Sequence, residues 1–164
     1  MKKILIISDT HGNHGLLKPV LAQNQDCGYL IHLGDEPDDL DIHTGLTANM
    51  QIFSVFGLYH EKFTPENNCF TIDDFHFVIS HTVKLLKFEK DNTIYLFGHT
   101  HNRLFEFTDN KLIINPGHLK CTKDRGDVAG YAVLEYENNT DLTINFYNYK
   151  NKIVETKKVS FQRG

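Results

Sequence analysis

The chain has 164 residues, a length that fits one domain spanning 1–164. With 40% apolar and 23% charged residues it matches globular proteins and departs from disordered or collagen-like chains. Seventeen basic against 21 acidic residues leave a net charge of −4, so there is no broad positive field for a nucleic-acid backbone or an anionic membrane.

In chain order, residues 3–7 form a short continuous apolar run that stops at Ser8-Asp9, the pattern of a strand buried in a largely parallel sheet. Leu17, Val20 and Leu21 then give one helical face over 15–25, with Pro19 expected in the first turn. Residues 29–33 and 51–56 read as two more buried strands, halted by Gly34-Asp35 and Gly57 and joined by a short helix or loop. Asp73-Asp74 separates 69–72 from 75–79 as a hairpin, with Phe75, Phe77 and Ile79 on one face. A short helix is expected over 83–90, and a strand over 93–97 ends in Gly98-His99-Thr100-His101. Strands 103–107 and 111–114 pair around Asp109-Asn110, Asn115-Pro116-Gly117 turns the chain, and strands 130–136, 142–149 and 152–159 complete it, the last as an exposed edge.

The three cysteines, Cys27, Cys69 and Cys121, are widely spaced and odd in number, as expected of reduced thiols in a cytoplasmic protein. Lys2 and Lys3 precede an apolar stretch too short for a signal-peptide core, and no 18-residue apolar run suggests a membrane span. The compositional oddity is ten histidines scattered along the chain. Only folding can gather them.

In open α/β sheets, binding sites lie beyond the carboxyl ends of the strands. There this sequence repeatedly places unusual polar residues: Asp9 and His11, then Asp35, then His81, then His99 and His101. The i, i+2 spacing in Asp9/His11 and His99/His101 puts each pair on one side of an extended segment. Singly, each motif is bland, since Asp-x-His makes a helix cap and Gly34-Asp35 a turn. Their joint order points to a metal site. Carboxylate and imidazole donors suit manganese, iron(II), nickel or zinc better than calcium or magnesium, which prefer oxygen shells. Two carboxylates against two divalent ions leave a surplus of about two positive charges to attract a phosphate ester, which reconciles an acidic chain with an anionic substrate. His32 reads as a satisfied sheet histidine, and His14, His43 and His76 as solvent-facing or capping.

These residues resemble the calcineurin-like metallophosphoesterases, and among them the small single-domain YfcE-type phosphodiesterases. The resemblance rests on Asp9/His11, Gly34/Asp35, His81, Gly98/His99/Thr100/His101 and Asn115/Pro116/Gly117 followed by Arg125, in that order and over nearly the whole chain. It implies an α/β fold, an α/β/β/α sandwich of two mixed β-sheets flanked by helices. It also implies two divalent ions, manganese first with nickel, iron(II) or zinc as alternatives. One is assigned to Asp9, His11, Asp35 and His101, and Asp35 bridges to a second held by His81 and His99. The expected activity is hydrolysis of a small-molecule phosphodiester, or of a monoester, by a hydroxide bridging the two ions. His60 and His118 are expected to hold the phosphate or protonate the leaving oxygen, and Arg125 to contact a phosphoryl oxygen. The alternative is a catalytically degenerate protein-binding scaffold, as in the metallophosphoesterase-like small subunit of retromer. The Phe- and Tyr-rich hairpins leave room for a homo-oligomer face.

One departure stands out. Where the family carries Gly-Asn, this chain reads Gly57-Leu58, and an aliphatic side chain cannot coordinate a metal. The second ion keeps Asp35, His81 and His99, with His60 or water as the substitute donor. Leu58→Asn is therefore expected to tighten the weaker ion and raise turnover. Calorimetric metal titration alongside a diester assay checks this, and an unchanged second affinity and rate would contradict it.

Overall fold

The computed structural model describes residues 1–57, 67–88 and 90–162. The opening apolar run forms β1 (Lys2–Ile7), whose side chains are buried on both faces: Ile4 and Ile6 enter one core, while Leu5 and Ile7 enter another. That two-sided burial is why the run is continuous rather than alternating. Strands are numbered in chain order. β1 pairs in parallel with β2 (Tyr29–His32), which pairs in parallel with β3 (Gln51–Ser54). On its other side β1 meets β11 (Gly130–Tyr136) antiparallel, followed by β12 (Asp141–Asn148) and the edge strand β13 (Ile153–Ser160). These six strands make the first mixed sheet.

The second sheet has five strands. The parallel set β5 (Phe75–Ser80), β6 (Thr93–Phe97) and β8 (Lys111–Asn115) lies at its centre. β4 (Asn67–Ile72) and β7 (Leu104–Thr108) flank it antiparallel. Asp109 and Asn110 both adopt positive φ in the β7–β8 turn, the conformation a two-residue hairpin demands. Phe75, Phe77 and Ile79 do share a face, meeting Ile4, Ile6, Leu134 and Ile144 between the sheets. At one margin Phe53 stacks on Phe70 with ring centroids 3.7 Å apart, tying β3 to β4.

On the outer face of the first sheet lie α1 (His14–Gln23), a 3-10 segment (Pro37–His43) and α2 (Thr44–Thr47). Leu17, Val20, Leu21 and Leu40 pack there against Leu5, Leu30 and Val133, which lays a helical layer over this side of the two-sheet sandwich. Asn13 caps α1 by accepting from the Leu16 N–H at 3.2 Å. Pro19 sits inside the helix, beyond its first turn, because the helix begins at His14.

Among the described residues of 83–90, the expected helix reduces to a 3-10 turn, Val83–Leu85. Leu86 is extended and buried against Tyr95 and Phe97, so its apolar side chain is used to reach the sheet rather than to form a helical face. The second helical layer is correspondingly thin. A small hairpin not foreseen from sequence, β9 (Lys123–Asp124) with β10 (Asp127–Val128), projects from the segment before β11.

Asp73, in the β4–β5 turn, accepts hydrogen bonds from Lys2 Nζ and Tyr136 Oη, each at 2.7 Å, and so ties the second sheet to β1 and β11. These bonds hold its carboxyl below the usual range. A carboxyl with a depressed folded pKa stabilises the fold above its unfolded pKa, and that stability is lost as pH falls through the folded value. Asp73→Asn should therefore be less stable than the native chain near neutrality, with the gap closing in acid. Urea midpoints from about pH 7 down to about pH 2 test this, and a constant gap would contradict it.

Candidate metal centre

The parallel strands of both sheets point their carboxyl ends at one edge of the sandwich. Ser8-Asp9 follows β1, Gly34-Asp35 follows β2, His81 follows β5, and Gly98 to His101 follows β6. Backbone bonds lock these ends together: the Asp9 N–H donates to Gly34 O, and the Gly98 N–H to His81 O, both at 3.0 Å. Side-chain donor atoms of Asp9, His11, Asp35 and His101 lie within 4.8 Å of one another, and so do those of Asp35, His81 and His99.

The two carboxylates are aimed rather than merely near. Asp9 Oδ2 accepts from Ser8 Oγ at 2.5 Å and from the His99 N–H at 3.0 Å, which leaves Oδ1 facing His101 Nε2 at 3.1 Å. Asp35 presents Oδ2 to His11 Nε2 and Oδ1 to His81 Nε2, each at 3.3 Å. One oxygen thus faces each group.

The imidazoles are anchored from behind. His81 Nδ1 lies 2.8 Å from the Leu33 carbonyl, an arrangement that requires a proton on Nδ1 and turns Nε2 toward the carboxylates. That Nε2 is buried and has no hydrogen bond of good geometry. An orphaned lone pair beside carboxylate oxygens is what a cation would satisfy. On this observation, and on a donor set of nitrogen and oxygen, the residues fit divalent transition metals.

The titratable groups of the cluster shift one another. Burial works against charge on Asp35, but the facing His81 and the charge of His11 overcome it and bring the carboxyl down to about 2. Burial likewise opposes protonation of His81 and His101, yet the facing aspartates raise both. His99 moves down, through burial and the nearby His81.

The i, i+2 pairs are not extended. Asp9, His11, Asp35, His99 and His101 all have positive φ, between 46° and 62°, and His99 and His101 serve different groups. Asp and His tolerate this left-handed region better than most residues, though at a cost on the order of 1 kcal/mol each. Close approach also explains two glycines. A Cβ at Gly57 would run into Asp35 Oδ1, and one at Gly98 into Ser8 Oγ and Asp9 Oδ2.

The other singled-out residues lie around these groups. His118 is fully buried, stacks on the His101 ring with centroids 5.1 Å apart, and has Nε2 3.3 Å from the Asp127 carbonyl. Arg125 is half exposed, and its Nη1 donates to His99 O at 2.7 Å, which keeps the guanidinium at the rim. His60 and Leu58 lie outside the described residues. His32 is buried and accepts from the Gly34 N–H, with burial lowering its pKa to about 4. His43 is buried rather than solvent-facing and stands at the N-cap position of α2 without a side-chain capping bond, with Nε2 3.2 Å from His14 Nδ1.

Three residues given no role at the site from the sequence support it. Asn115 is more than a turn former: it is buried and donates to Gly98 O at 2.9 Å and Thr100 Oγ1 at 3.0 Å, bracing the histidine loop. Asp124 hydrogen-bonds His101 Nδ1. Asp39 accepts from Thr10 Oγ1 at 2.6 Å and the Gly12 N–H at 2.8 Å, holding the loop that carries His11. A cleft of about 460 Å³ opens beside His11 and Asp35, walled by Glu36, Asp39, His14 and Ile42.

Comparisons with known proteins give the family and the fold. Residues 1–139 match the model of the calcineurin-like phosphoesterase superfamily domain. A phosphodiesterase of Methanocaldococcus jannaschii is 27% identical over 137 residues, covering 70% of this chain and 82% of that one. The structure of YfcE, a phosphoesterase from E. coli, superposes with a TM-score of 0.75 at 17% identity, over 98% of this chain and all of the other. Vps29 of Entamoeba histolytica, in complex with zinc, superposes with a TM-score of 0.68 at 18% identity, over 98% and 99% of the two chains. The chain belongs to the calcineurin-like phosphoesterase superfamily.

Proposed function

We propose that this chain is a metal-dependent phosphoesterase that hydrolyses small-molecule phosphodiesters at the cluster centred on Asp35. The observation that carries the reading is the division of Asp35, with one carboxylate oxygen facing each of two donor groups at 3.3 Å. Asp9, His11, Asp35 and His101 would hold one divalent ion, and Asp35, His81 and His99 a second; manganese, nickel, iron(II) and zinc all suit these donors. Bound there, the ions would supply Lewis acidity at phosphorus and a nucleophilic water of lowered pKa.

The chain's own residues do the rest. The two aspartates fix the polarity of the cleft, and His81 and His101, each steered by a bond to its far nitrogen, keep their Nε2 atoms turned inward. Arg125, held at the rim by the His99 carbonyl, is placed to donate to a phosphoryl oxygen from outside the donor groups. No general acid is assigned by the motifs, and a site without one favours esters whose leaving group is already a weak base. The strained backbone at five donor residues favours the catalytic reading over a scaffold, since a surface used only for docking has no use for it.

With added Mn²⁺ or Ni²⁺, the protein is expected to hydrolyse an aryl phosphodiester faster than an alkyl one. Asp35→Ala should abolish the activity while leaving the fold intact by circular dichroism. A wild-type chain inactive on aryl diesters and monoesters across several metals would contradict the proposal, and an Asp35→Ala variant of undiminished rate would contradict the role of Asp35.

A further inference from the structure

The hairpin of β9 and β10 turns at Arg125 and Gly126, with φ of 48° and 90°, the two left-handed residues of a tight hairpin turn. It is too short to be a structural layer. Its contacts instead converge on one neighbour, the loop that follows β6. Asp124 hydrogen-bonds His101 Nδ1, and Arg125 Nη1 donates to His99 O at 2.7 Å. Asp127 Oδ2 accepts from the Arg103 N–H at 2.8 Å. The Asp127 carbonyl also holds His118, whose ring stacks on His101. Alternate residues 99, 101 and 103 are thus gripped by consecutive parts of one strap.

We infer that Asp124 is a positioning residue, whose carboxylate, delivered by this hairpin, fixes the His101 imidazole with Nδ1–H turned away from the cleft and Nε2 turned into it. The inference rests on the proposed metal-dependent function. His81 is steered by a neutral carbonyl, that of Leu33, whereas His101 is steered by a carboxylate. A carboxylate behind the ring makes the imidazole a stronger donor, so the group containing His101 binds its ion more tightly than the group containing His81. Lys120 Nζ and Arg125 Nε, at 4.0 and 3.7 Å from Asp124 oxygens, favour the ionised carboxylate that this role needs. His118 and the hairpin backbone close the remaining side of the ring.

The test compares wild type, Asp124→Ala and Asp124→Asn by Zn²⁺ and Mn²⁺ calorimetry, aryl-diester kinetics, and proton NMR of the His101 Nδ1–H. In Asp124→Ala the tighter ion should weaken by about 10–100-fold and the downfield Nδ1–H signal should disappear, with turnover recovering as metal is raised. Asp124→Asn, whose amide oxygen still accepts the proton, should keep the signal and lose less affinity. Wild-type affinity in Asp124→Ala would overturn the inference, and if that variant does not fold, wild-type affinity in Asp124→Leu, which keeps the bulk but has no acceptor, would do so. A wild-type protein that binds both ions yet hydrolyses no phosphoester would defeat the proposed function and leave the role of Asp124 to be judged by affinity alone. If the wild type binds neither ion, both fail.

Discussion

Lone pairs that face one another across a buried cleft repel, and the structure places several of them there. Asp9 Oδ1 faces His101 Nε2, and Asp35 faces His11 and His81, at separations between 3.1 and 3.3 Å. A shared cation, whether proton or metal, is the only thing that makes such a set favourable at low dielectric. Most of the remaining design can be read as a means of keeping these atoms pointed inward: Ser8 and the His99 amide occupy the far oxygen of Asp9, Leu33 and Asp124 occupy the far nitrogens of two imidazoles, and Asn115 braces the loop between them.

The fold makes this arrangement by bringing the carboxyl ends of parallel strands from two different sheets to a common edge. Each sheet is rigid because its central strands are apolar on both faces, as Ile4 to Ile7 and Ile94 to Phe97 illustrate. A rigid frame can hold donor residues in the left-handed region, where a looser loop would relax. It also allows the close approach of Gly57 to Asp35 and of Gly98 to Asp9, so the carboxylates sit directly against backbone rather than against another side chain.

Strand positions were legible in the sequence because burial leaves a one-dimensional trace. The continuous run at β1, the alternation of Phe75, Phe77 and Ile79, and the Asp109-Asn110 turn each predict their own geometry from neighbouring residues alone. The segment 83–90 misleads because its apolar residues read equally well as a helical face or as a strand-like cover, and the sheet beneath selects the second. His43 misleads because its burial depends on α1, a partner remote in sequence. Asp124 belongs to no motif, and its importance comes from a hairpin that brings it against His101. The donor residues were recognisable by type and order, and the resemblance already divided them at Asp35; the left-handed backbone that aims them needed three dimensions. Adjacent histidines 99 and 101 went to different groups because left-handed backbone, not extended strand, carries them.

The central claim is that one carboxylate is shared by two cations. Anomalous diffraction at the manganese edge, from crystals grown with Mn²⁺, tests it most directly. Two peaks about 3.5–4 Å apart, with Asp35 between them, His101 beside one and His81 and His99 beside the other, are the predicted result. A single peak that leaves Asp35 on one side, or no peak within this cleft, would contradict it.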